Sequence, residues 1–536
     1  MIGASRKNNF DYIIVGAGSG GCVVANRLSA NPAIQVCLIE AGGDDDQMLV
    51  NVPLGMAATL PTKVNNYGYQ TVPQSGLNGR KGYQPRGRVL GGSSSINAMC
   101  YIRGQAEDYD TWAADSAPGW SYDDVLPYFK MSECNERGED QYHGVSGPLN
   151  VADHRSPNPV TDLFIEAAAE QQHKTTNDFN GAEQEGVGRY QVNQKDGRRW
   201  SVARGYLRPI LDRPNLTVMT RTKALRIILD GERATGLEVL RNKRSMTLGA
   251  DAGVVLTSGA FGTPHLLMVS GVGPESELRR HSIPVRFNIP EIGQNLQDHP
   301  DHVTVYRAKS PDLFAVSPGG VARIGASIPD YTRNGRGPLT SNAAEGGAFL
   351  STKGRGNRPD VQMHFVHGII DDHSRKIHLG GGMSCHVCVL RPESRGSVTL
   401  GSADPLAAPV IDPNFLATDG DIKTLLSGFK LVRDIMESDA LKSIRGTELF
   451  TKGMSGDSEL IDAIRARADT VYHPVGTCRM GNDEAAVCDE KLKVRGIQNI
   501  WIADASVMPN LISGNTNAPV AMIAERAAEF ILENQK

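Results

Sequence analysis

The chain has 536 residues, which at roughly 150 residues per domain is three or four domain-equivalents or one large composite α/β body. Hydrophobic residues make up 40% and charged residues 22%, with 58 Gly and 29 Pro, which excludes a disordered, fibrous or low-complexity chain. The 56 Lys+Arg against 60 Asp+Glu leave a net charge of −4, so no broad positive field exists to capture nucleic acid or anionic lipid.

Eight cysteines, at 22, 37, 100, 134, 385, 388, 478 and 488, are too sparse for a disulfide scaffold and point to a reducing compartment. The first apolar run, 12–16, is too short for the core of a signal peptide, and no stretch reaches about 18 uninterrupted apolar residues. A cytoplasmic protein is expected, with peripheral contact on the inner face of the membrane left open.

In chain order, residues 11–15 predict a buried strand, 19–28 a helix with Val23, Val24 and Leu28 at helical spacing, and 35–39 a second strand, together one βαβ unit of about thirty residues. Strands are expected at 216–230, 236–240 and 254–257, with helix resuming at Pro264. Residues 310–359 are Gly/Pro-rich and predict irregular structure. Residues 360–367 and 383–390 read as strands of a separate sheet. Residues 419–437 carry Ile422, Leu425, Leu426, Phe429, Val432, Ile435 and Met436 as the apolar stripe of a helix. A strand at 500–503 and a helix at 518–534 predict that the C-terminus returns to the first domain.

Gly16-Ala17-Gly18-Ser19-Gly20-Gly21 fits G-x-G-x-x-G between a strand and a helix, and Glu40 ends the next strand nineteen residues past Gly21. Glycines let the backbone turn tightly and approach a pyrophosphate, whose charge sits on the helix N-terminal N–H groups. Glu40 would accept from a ribose hydroxyl pair, and its charge argues against a 2′-phosphate. A ligand-free glycine turn is the bland alternative; the flanking strands and the spaced acid set it aside. At this step NAD and FAD both remain.

Residues 87–104 form a second glycine and serine cluster and residues 259–273 a third. In these segments, and in 295–299, 473–477 and 503–519, the chain resembles the glucose-methanol-choline (GMC) oxidoreductases over nearly its full length. Within that family it looks nearest to bacterial FAD-dependent alcohol dehydrogenases of the alkane-degradation type, near sorbose and polyethylene glycol dehydrogenases. The resemblance implies an α/β fold: a Rossmann-like FAD-binding domain (1–155, 200–310 and 470–536) and an α+β substrate domain on an antiparallel sheet (156–199 and 311–469). It places Gly16, Gly18 and Gly21 on the pyrophosphate and Glu40 on the adenosine ribose. Asn97, Ala98 and Met99 should lie along the isoalloxazine, and Ala224 should meet the adenine through its backbone. Asp504 and Ala505 go to the pyrophosphate and ribityl chain, Thr516 and Asn517 to the pyrimidine end. Ser19, Ala41, Arg88, Gly92 and Ala260 complete the cofactor set. Ile96 stands where covalent members carry histidine, which implies non-covalent FAD. Tyr67 departs from the tryptophan of close relatives.

Alcohol oxidation removes a hydroxyl proton and transfers the carbon's hydride to flavin N5. A neutral imidazole suits the proton step, and the resemblance makes His473 that base, with Asn515 as its partner. An amide cannot act as a base but can donate to a developing alkoxide. Cys385 and Cys388 have C-x-x-C spacing inside a strand-like run, which favours a structural role. His364, His367, Asp371, Asp372, His373 and His378 continue in no zinc pattern and are expected on the substrate-side sheet and a loop over the pocket, with no metal. Residues 298–302, with Asp298, His299 and His302, are expected to pack beside the flavin domain. No G-x-S-x-G elbow occurs. The expected function is oxidation of a primary alcohol, medium-chain or polyether, with electrons passed to a quinone or other acceptor. The alternatives are an oxidase using O₂ and a non-redox, lyase-like flavoprotein. The oligomeric state is unreadable.

Overall fold

The computed structural model describes residues 8–534. Tyr12, Ile13, Ile14 and Val15 are all buried, as in a strand covered on both faces. Their strand, Asn9–Val15, lies inside a seven-stranded sheet in the order Leu216–Met219, Val36–Ile39, Asn9–Val15, Arg244–Leu256, Arg233–Arg241, Thr222–Asp230, with Ile500–Ile502 also beside Arg244–Leu256. Leu216–Met219, Val36–Ile39, Asn9–Val15, Ile500–Ile502 and the strand they share run parallel, while the two strands within 222–241 are antiparallel. The C-terminus thus returns to the first sheet. Its helix, Asn517–Glu533, packs on Ser19–Leu28, where Arg27 forks onto Glu525 through two bonds of 2.6 Å, a geometry only a planar guanidinium provides.

The second seven-stranded sheet is antiparallel throughout: Arg445–Glu448, Pro300–Ala308, Gly382–Val389, Val361–Val366, Gly346–Leu350 and Gly186–Arg189, with Asp469–Thr470 also on Pro300–Ala308. The helix Asp419–Met436 turns its whole expected apolar stripe into the core against this sheet. Thr418 caps it by accepting from Asp421 N at 3.2 Å. Pro300–Ala308 belongs to this sheet, although the division expected from sequence puts residues up to 310 with the first.

Two element expectations fail. The helix expected to resume at Pro264 begins at Gly259 and runs to Val269 with the proline inside. Proline leaves the carbonyl four residues back without its donor, and here Thr477 Oγ1 donates to Ala260 O at 2.7 Å instead. The irregular stretch expected over 310–359 contains the helix Pro318–Asn334 and the strand Gly346–Leu350. The strand's glycines are packing devices: a Cβ on Gly347 would sit 1.9 Å from Met363 O. The helix has no buried residue, so no core stripe announces it.

Candidate active site

A cavity of about 410 Å³ runs between the two sheets, walled by Val15 and Ile39 on one side and by His364, Val366 and His386 on the other. The glycine turn opens onto it. Helix Ser19–Leu28 starts from Gly18 with no side-chain cap and no acid in its first turn, so its leading N–H groups are free to meet an anion. A Cβ on Gly18 would have no protein atom nearer than Thr257 O at 3.8 Å. Glycine at 18 therefore leaves room for something other than the protein. Gly21 differs, because a Cβ there would lie 1.9 Å from Gly16 O. Unlike Gly16 and Gly18 it does not line the cavity; the third glycine lets the helix seat closely on the turn.

Glu40 and Ala41 line the same end. The Glu40 carboxylate accepts from Ala17 N at 3.0 Å and Gly42 N at 2.7 Å, and each oxygen keeps a lone pair for a hydroxyl. Burial pushes its carboxyl up to about 7, opposed by those N–H groups and by Arg88. Arg88 itself does not line the cavity. Its guanidinium sits 5.5 Å from the Tyr67 ring centre, and Tyr67 stacks on Tyr69 at 5.0 Å, so the arginine acts from behind a tyrosine wall.

Ser19, Gly92, Ile96, Asn97, Ala98, Met99, Ala224, Ala260, Asp504, Ala505, Thr516 and Asn517 all line the cavity, although they are far apart in sequence. Ser19 Oγ donates to Asn517 Oδ1 at 2.7 Å, joining the starts of the first and last helices. The Asp504 carboxylate is spent on Gly259 N, Thr263 Oγ1 and Ser506 N at 2.6 to 2.8 Å. What it offers a ligand is therefore backbone. Asn97 Oδ1 accepts from Met99 N at 3.0 Å and from the buried Arg199 at 2.8 Å.

At the far end His473 and Asn515 meet, with Asn515 Nδ2 and His473 Nε2 3.1 Å apart. Pro474 restricts His473 to extended backbone, and Asp298 Oδ1 accepts its N–H at 2.8 Å. The Asn515 loop is held by Asp108, which accepts from Ser513 N at 2.7 Å and Ser513 Oγ at 2.8 Å. The proton positions follow from the partners. His299 Nε2 faces two carbonyls, Leu390 O and Ile512 O, each at 3.1 Å, so it carries the hydrogen. Burial drives His299 down to about 4; the ring is neutral and its Nδ1 is an acceptor. His473 Nδ1, 3.0 Å away, must then be the donor, which leaves the lone pair on His473 Nε2 toward Asn515 and the cavity. Gln362 Nε2 donates to Asn515 Oδ1 at 3.0 Å, turning the asparagine NH₂ toward that lone pair. Burial, followed by the fields of His299, His364 and Arg86, holds His473 well below its ordinary value.

His299 and Asp298 correct the expectation that residues 298–302 serve packing: His299 fixes the tautomer of His473 and Asp298 pins both backbones. Gln362 was missed altogether. Its one legible signal is that it precedes His364 by two residues on the strand Val361–Val366 and so shares its face. The four histidines within 364–378 each have a different partner, with Gln362 beside His364 at 3.2 Å. Thr161 holds His367 at 2.7 Å, Tyr472 holds His373 at 2.7 Å and Asp371 holds His378 at 2.8 Å. Cys385 and Cys388 are free and buried, three residues apart on one strand and so on opposite faces.

The sequence profile of the GMC oxidoreductases matches residues 10–301 and 392–524. The chain belongs to the GMC oxidoreductase family. It is 45% identical to an alcohol dehydrogenase (acceptor) of Pseudomonas putida over 527 residues, 98% of this chain and 96% of the relative. It is 38% identical to human mitochondrial choline dehydrogenase, over 99% of this chain and 91% of the relative. Among solved structures, pyridoxine 4-oxidase from Mesorbium loti superposes with a TM-score of 0.88 at 32% identity, over 97% of this chain and 99% of that one. An arginine-to-alanine variant of Aspergillus oryzae formate oxidase gives 0.91 at 27% identity, over 99% of both chains. No helix among the described residues is long and apolar enough to cross a membrane.

Proposed function

We propose that this enzyme is an FAD-dependent dehydrogenase of primary alcohols, with His473 as base and Asn515 beside it, and with electrons leaving to a quinone or other acceptor. The observation that carries the reading is the ordered chain Gln362–Asn515–His473–His299, which leaves a lone pair on His473 Nε2 at one end of a cavity whose other end is the glycine turn. The 45% identity to an alcohol dehydrogenase (acceptor) supports it.

The cradle fits FAD: an uncapped helix start, an open Gly18 and a carboxylate at Glu40 with lone pairs to spare. In this reading Gly16, Gly18 and Ser19 hold the pyrophosphate, Glu40 the ribose, Asn97, Ala98 and Met99 the isoalloxazine, and Thr516 and Asn517 its pyrimidine end. Ile96 offers no nucleophile, so the FAD is non-covalent. When bound, the flavin supplies a hydride acceptor. His473 takes the hydroxyl proton at Nε2, retaining its Nδ1–H on His299. Asn515 Nδ2 donates to the alkoxide oxygen as charge develops there, an effect worth about 10²–10³-fold for a positioned donor. Medium-chain or polyether alcohols are the proposed substrates, and the sheet built on residues 346–389 lines their side of the cavity.

The test is anaerobic mixing of the flavin-loaded protein with primary alcohols, secondary alcohols and sugars. Bleaching of the flavin band in the native protein but not in His473→Ala supports the mechanism. A loaded flavin that no alcohol reduces overturns it. Because two similar solved structures are oxidases, the same samples are then exposed to O₂; rapid reoxidation with peroxide would make the protein an oxidase.

A further inference from the structure

The proton taken by His473 has no exit through the groups behind it. His299 Nε2 meets only Leu390 O and Ile512 O, and backbone carbonyls do not carry a proton onward. A standing charge on His473 is opposed by burial. The proton must leave on the cavity side.

That side has a second opening. His386, on the strand Gly382–Val389, lines the catalytic cavity and also a polar cavity of about 280 Å³. Its Nδ1 lies 2.7 Å from Asp301 Oδ2, and no protein group among the described residues bonds its Nε2. Asp301, 4% exposed, lines only the second cavity, and its Oδ1 is buried without a hydrogen-bond partner among the described residues. A buried carboxylate oxygen left in that state is costly unless water meets it, and a polar cavity of this size has room for water. Burial raises the Asp301 carboxyl above the usual range, against the pull of His386 and His373 and with the repulsion of Asp469. At the outer rim Lys81, Arg375 and Lys376 are exposed to solvent.

We propose that His386 and Asp301 form a proton relay from the catalytic cavity into the second cavity and on to solvent. It rests on the alcohol-oxidation reading above. The alcohol O–H bond breaks as His473 Nε2–H forms, and cavity water passes that proton to His386 Nε2. The Nδ1–H then moves to Asp301, which releases it to water in the outer cavity. His386 is left neutral with its proton on Nε2 and turns to reset. No electrons travel this way, because they leave with the carbon-bound hydrogen to the cofactor.

The experiment is a single anaerobic turnover of the flavin-loaded protein in weak buffer with a pH-indicator dye, using an alcohol that bleaches the native flavin. In the native protein dye and flavin signals run together. In Asp301→Asn and in His386→Gln the dye should fall behind the flavin by about 10²-fold, the lower range for loss of a positioned proton-transfer group. Added imidazole should close the gap, which it would not do for a purely structural defect. Asp301→Glu, which keeps a carboxyl, should keep the signals together. Synchronous signals in either of the first two variants, or a lag that imidazole leaves untouched, overturns the relay. Failure of the underlying reading is seen separately, because no alcohol would then bleach the native flavin.

Discussion

Replacing His299 with leucine removes the acceptor that holds the proton of His473 on Nδ1. The 3.0 Å contact between the two rings is buried, and a buried donor left without its partner costs about 1–3 kcal/mol. At about 1.4 kcal/mol per tenfold, His473 should shift toward the wrong tautomer and lose roughly 10- to 100-fold in kcat/KM. A ring free to swing adds to the loss, since a misplacement of about 1 Å can cost 10²-fold. His299 does not line the cavity, so the loss should fall on kcat with KM and flavin loading little changed. ¹⁵N chemical shifts of His473 report the tautomer directly, and stopped-flow flavin bleaching reports the rate. A His299→Leu protein that loads flavin and bleaches at the native rate would refute the argument.

Four further outcomes follow from the geometry. His473→Ala should slow flavin reduction by about 10²–10⁴-fold, measured by stopped-flow with the variant's thermal midpoint as a check on folding. Because burial lowers His473, the acid limb of kcat/KM should rise to its plateau before pH 6.5, the ordinary imidazole value; a limb centred at or above that value would contradict the burial. Gly18→Ala and Gly21→Ala should separate: the first should weaken FAD binding with little change in the Tm of the apoprotein, the second should lower Tm, because its Cβ meets Gly16 O at 1.9 Å. His299, His302, His364 and His367 are lowered to between about 3 and 4. Unfolded histidines titrate near 6.5, so this stability is present above that pH and lost as pH falls toward the folded values, at about 1.4 kcal/mol per pH unit for each. The raised carboxyls of Glu40 and Asp298 oppose the trend, and a Tm that rises steadily from pH 7 to 5 would contradict it.

Local pattern alone determined the βαβ start, the stripe of Asp419–Met436 and the return of the last helix, because each is written as a periodicity or a glycine spacing that neighbours in sequence enforce. The glycine turn and the acid beside it were legible for the same reason: Gly16, Gly18 and Glu40 belong to one continuous unit, and all three line one end of the cavity. Gly21 and Arg88 lie off the cavity wall, because a motif names residue types without saying which face a cavity and which face a neighbouring backbone. The helix at 318–334 escaped because it buries no side chain, and the glycines of Gly346–Leu350 imitated a loop while serving close packing. His299 behind His473, Gln362 behind Asn515, and Asp301 behind His386 were decided only by the tertiary structure. Those pairs lie up to 174 residues apart, and the proton each imidazole carries is set by partners that only the tertiary fold brings within 3 Å or so of it.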